Sequence, residues 1–168
     1  KAVEWNILDG VKVTAYTYNG TVPGPLIHVT EGDQVRIIVK NDLPEPTTIH
    51  WHGLAVPPAM DGVVGLSQPA VQPGESFVYE FDVMQSGTFF YHSHVGLQLD
   101  RGLYGALIVE EPGENDRLRV DREYVLLIDD WLTVAPESMR AISSVRSAGS
   151  SRRMRVRLRP PTSRFSMA

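Results

Sequence analysis

The chain has 168 residues, a formal net charge of −4 and a hydrophobic fraction of 42%. This length suits one domain with an appendage better than two full domains, and no apolar run approaches the ~20 residues that a membrane helix needs. Because the sequence contains no cysteine, it excludes disulfides, thiolate metal sites and cysteine nucleophiles within these residues.

Short strand-like segments follow one another along the chain. They are rich in β-branched and aromatic residues, and several alternate apolar with polar positions. The predicted strands are, in chain order, residues 11–18, 25–29, 34–40, 47–54, 76–83, 87–94, 105–111 and 123–131. Turn sequences such as NG at 19–20 and QPGE at 72–75 separate them. The sequence shows neither a helical periodicity of useful length nor a repeating βαβ pattern. This pattern predicts an all-β fold, a Greek-key β-sandwich or barrel.

Charge is distributed unevenly between the two ends of the chain. All 20 acidic residues lie in residues 1–137 together with eight of the 16 basic residues, so this segment carries −12 and residues 138–168 carry +8. We therefore expect a globular body over 1–137 and an Arg/Ser-rich basic tail over 138–168, flexible or ordered by a partner. Within the tail, residues 153–159 alternate well enough to add a strand, which Pro160 and Pro161 would end.

Four of the five histidines occur as two His-X-His pairs at the ends of predicted strands. They are His50 and His52 in the first pair, and His92 and His94 in the second. Side chains two residues apart on a strand point the same way, so each pair projects two imidazoles from one face, while Trp51 and Tyr91 should pack in the core. Imidazole binds copper, zinc, iron and nickel, so the pairs indicate a metal site without selecting the metal. The isolated His28 is interpreted as a strand residue at the surface or the core edge.

Three sequence blocks around these pairs are more specific. They are NGTVPGPLIHVTEGDQVRIIVKNDL, TTIHWHGLAVPPAMDGV and GTFFYHSHVGLQLDRGLYGALIVEEP. Together they resemble the N-terminal domain of multicopper oxidases, the family of laccases, ascorbate oxidase and copper-resistance oxidases, over about residues 13–132. The resemblance implies a cupredoxin-like form of the sandwich and copper as the cofactor.

The resemblance also implies roles for individual residues. In that family the two pairs supply half of the eight histidines around a trinuclear copper cluster, where O₂ is reduced to water. His50 matches the type 2 copper ligand, and the other three motif histidines match ligands of the type 3 pair. Asp61 resembles the acidic residue that assists proton delivery to the cluster and is the candidate catalytic residue. From the residues alone, the alternative is that Asp61 is a turn residue before Gly62 in Met-Asp-Gly.

The chain departs from the complete family pattern. It lacks the cysteine of a type 1 copper site and the HxxHxH and HCHxxxH motifs of the family's C-terminal domain. Three alternatives follow: a fragment of a longer oxidase, a single-domain protein that assembles its cluster from several copies, or a copper-binding or storage module without catalysis. In the second case, two chains related by a two-fold axis would supply the eight histidines.

The resemblance implies partners of defined chemistry. An oxidase of this family would use O₂ and a small phenolic or metal-ion reductant, and would be periplasmic or secreted. We expect a homo-oligomer with a shared two-fold copper site and no membrane partner. Although eight arginines in the tail could contact nucleic acid, the acidic body would repel such a partner.

Overall fold

Strands dominate the computed structural model, which describes residues 1–113, 121–131 and 153–158. The strands are β1 Ala2–Leu8, β2 Val11–Tyr16, β3 Gly24–Thr30, β4 Gln34–Lys40, β5 His50–His52, β6 Ser76–Asp82, β7 Gly87–His92, β8 Tyr104–Glu110, β9 Arg122–Leu127 and β10 Arg153–Leu158. Within these described ranges the helices are two three-residue 3₁₀ turns, Pro58–Met60 and Leu99–Arg101. No helix in them is long and apolar enough to cross a membrane.

A four-stranded sheet carries both histidine pairs. Its strand order is β3-β8-β7-β5, with β3 parallel to β8 and the other neighbours antiparallel. The antiparallel pair β4 and β6 forms a second layer. Because β3 pairs with β8 rather than with a strand close to it in sequence, the chain crosses between the layers as a Greek-key topology requires.

The core lies between these two layers. Trp51 on β5 is 1% exposed and makes edge contacts with Tyr79 and Phe81 on β6, at ring-centroid distances of 5.3 and 5.2 Å. The Tyr79 hydroxyl accepts a hydrogen bond from the backbone N–H of Ile49 at 2.8 Å, which fixes the start of β5 over the second layer. Tyr91 on β7 is also buried, so the prediction that Trp51 and Tyr91 pack in the core is confirmed.

The first strand was missed by the sequence prediction, which placed no strand before residue 11. β1 pairs antiparallel with β2 around an Asp9-Gly10 turn, and Gly10 adopts a positive φ of 80°. An Asp-Gly pair between two segments that alternate apolar with polar residues predicts a β-hairpin, so the sequence contained the signal for this strand.

The predicted strand over residues 47–54 is shorter in the structure. Only His50–His52 pair with β7, while Thr47 forms an isolated bridge with Val71. The other predicted strands agree with observed strands, although several end earlier than predicted. The all-β prediction is confirmed.

The basic segment is only partly described. Arg153–Leu158 forms β10, which pairs antiparallel with β9, as the alternation of this segment allowed. The rest of residues 138–168 lies outside the described residues, so the predicted tail and the domain boundary at residue 137 stay predictions.

Candidate metal centre

The pairing of β5 with β7 brings the two histidine pairs together. His50 lies directly opposite His92, and His52 lies opposite Phe90. Side chains of directly opposed residues are close neighbours on one face of a sheet, and His52 shares that face with His50 because it is two residues further along. The result is a group in which one ring nitrogen each of His50, His52 and His92 lies within 4.8 Å of the others.

His94 lies beside this group. It follows β7, beyond the last paired residue of the strand. Its ring centroid is 5.4 Å from that of His50 and 6.3 Å from that of His92. The structure therefore gathers all four predicted histidines at one end of the sheet, with three in a tight group and the fourth adjacent.

Backbone carbonyls orient two of the imidazoles. The Nδ1–H of His50 donates to the carbonyl of Asp61 at 2.8 Å, and the Nδ1–H of His92 donates to the carbonyl of Ser93 at the same distance. A hydrogen bond at one ring nitrogen fixes the tautomer and leaves the other nitrogen with its lone pair. His50 and His92 are thereby prepared to bind a metal through Nε2.

His52 and His92 face each other closely. The Nδ1 of His52 lies 3.2 Å from the Nε2 of His92, so the two nitrogens are near enough to bind a single ion. Phe90 packs against both rings, at centroid distances of 4.5 and 4.8 Å. The sequence interpretation missed this contact, although the two-residue spacing places Phe90 on the same strand face as His92.

Exposure differs sharply among the histidines. His92 is buried, His50 is half-buried, and His52 and His94 are exposed. Burial lowers the pKa of His92 to about 4, because removal from water disfavours the charged imidazolium. This ring is therefore neutral at physiological pH, which is the protonation state that a metal requires.

Asp61 lies behind His50. Its Oδ1 is 3.2 Å from the Nδ1 of His50, and about a third of its side chain is exposed. The residue also ends the 3₁₀ turn Pro58–Met60, and Gly62 after it has a positive φ of 78°. Asp61 is thus a turn residue and also a neighbour of His50, because the turn delivers the carboxylate to the ring.

The segment from Met60 to Gly62, at the end of this 3₁₀ turn, lies against the outer edge of β5. The indole N–H of Trp51 donates to the carbonyl of Met60 at 3.0 Å. Gly62 approaches so closely that a Cβ on it would lie 1.8 Å from the carbonyl oxygen of Ile49. Only glycine fits this approach, which holds Asp61 against His50.

His28 is separate from the centre. It lies on β3, where its Nε2 is 3.0 Å from Oε1 of the buried Glu110, and about half of its side chain is exposed. This agrees with its interpretation as a strand residue at the surface.

A partly open cavity is also separate from the histidines. It measures about 790 Å³ and lies between β3 and β4, and its lining includes Ile27, Val29, Val35, Ile37 and Val39. None of the four motif histidines lines it. The candidate metal centre lies instead at a sheet end, where His52 and His94 are exposed.

Comparison with known proteins identifies the family. A family model described as "Multicopper oxidase" matches residues 1–114. The chain belongs to the multicopper oxidase family. It is similar to copper resistance protein A of Escherichia coli, with 45% identity over 132 residues that cover 79% of this chain and 22% of the relative. L-ascorbate oxidase of Nicotiana tabacum is 44% identical over 127 residues, covering 73% and 22%.

Solved structures of multicopper oxidases share the fold. The blue copper oxidase from Nitrosomonas europaea matches with a TM-score of 0.72 and 31% identity, over 90% of this chain and 48% of that one. The cupredoxin-like β-sandwich is thereby confirmed. The chain spans about a fifth of the length of the curated relatives described above.

The donor set fits the copper that this family implies. The gathered ligands are imidazole nitrogens, one of them buried and neutral and two oriented by backbone carbonyls. Imidazole is a good ligand for copper. The residues present at this site therefore fit copper.

Two glycines with the same φ test the close approach of Gly62 to the backbone of Ile49. Gly62 and Gly65 both have φ of 78°, but only Gly62 has heavy atoms within 4 Å of the position that an alanine methyl would take. Gly65→Ala should lower the free energy of unfolding by about 1–2 kcal/mol, the cost of the left-handed backbone. Gly62→Ala should lower it by about 3 kcal/mol or more, because overpacking adds to that cost. Urea unfolding measures both values, and equal losses would contradict the assigned contact.

Proposed function

We propose that the chain is the copper-binding domain of a laccase-like multicopper oxidase and supplies half of the ligands of a trinuclear cluster that reduces O₂ to water. The observation that carries this proposal is the gathering of His50, His52 and His92, whose ring nitrogens lie within 4.8 Å of one another. Copper bound there would supply the redox chemistry, and the chain's own residues would orient the ligands and handle protons.

The resemblance to multicopper oxidases gives the histidines separate roles. We assign His50 to the type 2 copper and the other three histidines to the type 3 pair. The 3.2 Å separation between His52 and His92 supports a shared ion for these two. The place of His94 outside the tight group supports its binding of a different ion.

Asp61 is the proposed proton-handling residue. Its carboxylate lies beside Nδ1 of His50, the nitrogen that also donates to the Asp61 carbonyl. The Asp61 side chain is partly open to solvent. A carboxylate in this place can orient the imidazole and pass protons between water and the site. We propose both roles for Asp61.

The cluster needs a second set of ligands, and we propose that a second copy of the chain provides it. His52 and His94 are exposed, so their imidazoles are accessible to a facing molecule. A two-fold interface places equal residues across its axis. His50 of both copies would then hold the type 2 copper, while His52 and His92 of one copy with His94 of the other would hold each type 3 copper.

The resemblance to copper-resistance oxidases and ascorbate oxidase further supports a periplasmic or secreted location. Small phenols or metal ions are the proposed reductants.

The sequence contains no cysteine and hence no thiolate for a type 1 copper. We therefore expect weak substrate oxidation and no blue absorption band from this chain alone.

The ligand assignment predicts the effect of single histidine substitutions. His92→Ala and His94→Ala should each remove most of the bound copper, because each deletes a ligand. The β-fold should survive, since the rings lie at the end of the sheet. His28→Ala is the matched control and should keep its copper. Metal analysis after dialysis, with circular dichroism to check folding, measures both properties, and unchanged copper in His92→Ala and His94→Ala would contradict the assignment.

Oxygen consumption separates an oxidase from a storage module. Copper-loaded protein with a phenolic donor should consume O₂ steadily, and the same protein after chelation should not. Asp61→Asn should retain copper but slow the consumption, because the amide cannot accept a proton. Stoichiometric copper binding that raises the melting temperature without any O₂ consumption would instead support a non-catalytic copper-binding module.

Assembly and copper content should be coupled. We expect a dimer, or a larger closed ring, with up to about three coppers per two chains in the shared two-fold arrangement. His50→Ala and His94→Ala should lower the copper content and weaken assembly, whereas His28→Ala should change neither. Sedimentation combined with metal analysis tests this. A monomer at every copper concentration, or a dimer indifferent to both histidine substitutions, would refute the shared cluster.

A further inference from the structure

A buried carboxamide lies beneath the second histidine pair. Gln98 is 2% exposed, and its Oε1 accepts hydrogen bonds from the hydroxyls of Ser93 at 2.7 Å and Thr47 at 2.8 Å. Its Nε2 donates to Oε1 of Glu45 at 2.9 Å and to the carbonyl of Pro46 at 2.8 Å. A carboxamide offers two donor hydrogens and two acceptor lone pairs, so every hydrogen-bonding position of Gln98 is used.

These four bonds join the two segments that carry the histidines. Ser93 stands between His92 and His94, while Thr47 stands three residues before His50. The hydroxyls of Thr47 and Ser93 are themselves 3.3 Å apart, and both are buried. Gln98 therefore holds the segment entering β5 and the segment leaving β7 at a fixed separation.

His94 lies in the loop that follows β7. The residue before it, Ser93, is held by a bond from its N–H to the carbonyl of Leu103 at 3.0 Å. The loop that carries His94 is closed by bonds from the N–H of Val95 to the Ser93 hydroxyl at 3.1 Å and from the N–H of Gln98 to the carbonyl of Val95 at 3.2 Å. The Ser93 hydroxyl, which Gln98 binds, is thus also the anchor of the loop.

We propose that Gln98 is a positioning residue of the copper site, which fixes His94 relative to His50 through Ser93 and Thr47. This inference rests on the proposed function, in which the four histidines bind copper. A buried network in which every member is hydrogen-bonded specifies one arrangement. In any other arrangement a member would lack a hydrogen bond and would have no water to replace it. The alternative is that the network only stabilises the fold, and this alternative makes different predictions.

Three substitutions separate these alternatives. Gln98→Met keeps the length of the side chain but removes the carboxamide. Thr47→Val removes a single bond to Gln98 and is mild enough to keep the fold if Gln98→Met does not. Thr17→Val is the matched control, because Thr17 is 2% exposed against 3% for Thr47 and its hydroxyl donates to the carbonyl of Lys1, away from the histidines.

Copper affinity is the first measurement, taken on folded protein by competition with a chelator. Gln98→Met should weaken copper binding about 10- to 100-fold, the usual loss when a group supporting a metal ligand is removed. Thr47→Val should weaken it less, in the same direction. Thr17→Val should lose thermal stability but keep the affinity of the unsubstituted protein.

The second measurement needs no metal. Nuclear Overhauser contacts between the rings of His50 and His94, whose centroids are 5.4 Å apart, should weaken in Gln98→Met and Thr47→Val and persist in Thr17→Val. If the unsubstituted protein bound no copper, the proposed function would fail while this measurement still decided the role of Gln98. If the folded Gln98→Met and Thr47→Val proteins kept both the ring contacts and the affinity, losing only stability as Thr17→Val does, the positioning role would be refuted.

Discussion

The register between β5 and β7 is the constraint on which the metal centre depends. It sets His50 against His92 and Trp51 against Tyr91, so that one face of two short strands is a core and the other is a ligand group. A slip of one residue would exchange the faces. In β5 it would expose Trp51 and bury His50 and His52, while Tyr91 would keep its face because β7 also pairs with β8. The burial of Trp51, which is 1% exposed, therefore opposes such a slip and holds the imidazoles of β5 in place.

Because β5 has only three residues, its own ladder is too short to define the site, and contacts from outside the sheet complete it. The Met60–Gly62 segment closes against the strand edge through the Trp51 indole, the His50 ring and the space left by Gly62. In addition, Gln98 joins the segments before β5 and after β7. These two supports differ in kind, since the first depends on close backbone approach and the second on a fully used carboxamide.

Burial and exposure form a gradient across the histidines of the site. The innermost ring, His92, is neutral because burial lowers its pKa, and the outermost rings, His52 and His94, are exposed. A site with this gradient has a buried base and an accessible outer layer. The proposed second copy would cover that outer layer, and the same exclusion of water would strengthen the interactions between the ligands and the metal.

The local pattern of the chain determined much of this protein by itself. Strand alternation was sufficient for the all-β class and for the inward direction of Trp51 and Tyr91. The first His-X-His spacing was sufficient to place His50 and His52 on one face, because this depends only on the two-residue period of a strand. His94 lies beyond the end of β7, so the same period does not place it. Tertiary structure alone decided which strands are neighbours, and hence that His50 meets His92, that Asp61 returns to the His50 ring and that Gln98 reaches Thr47 from 51 residues away. Those contacts are non-local, and the packing of the whole sandwich, which no local pattern encodes, brings them together.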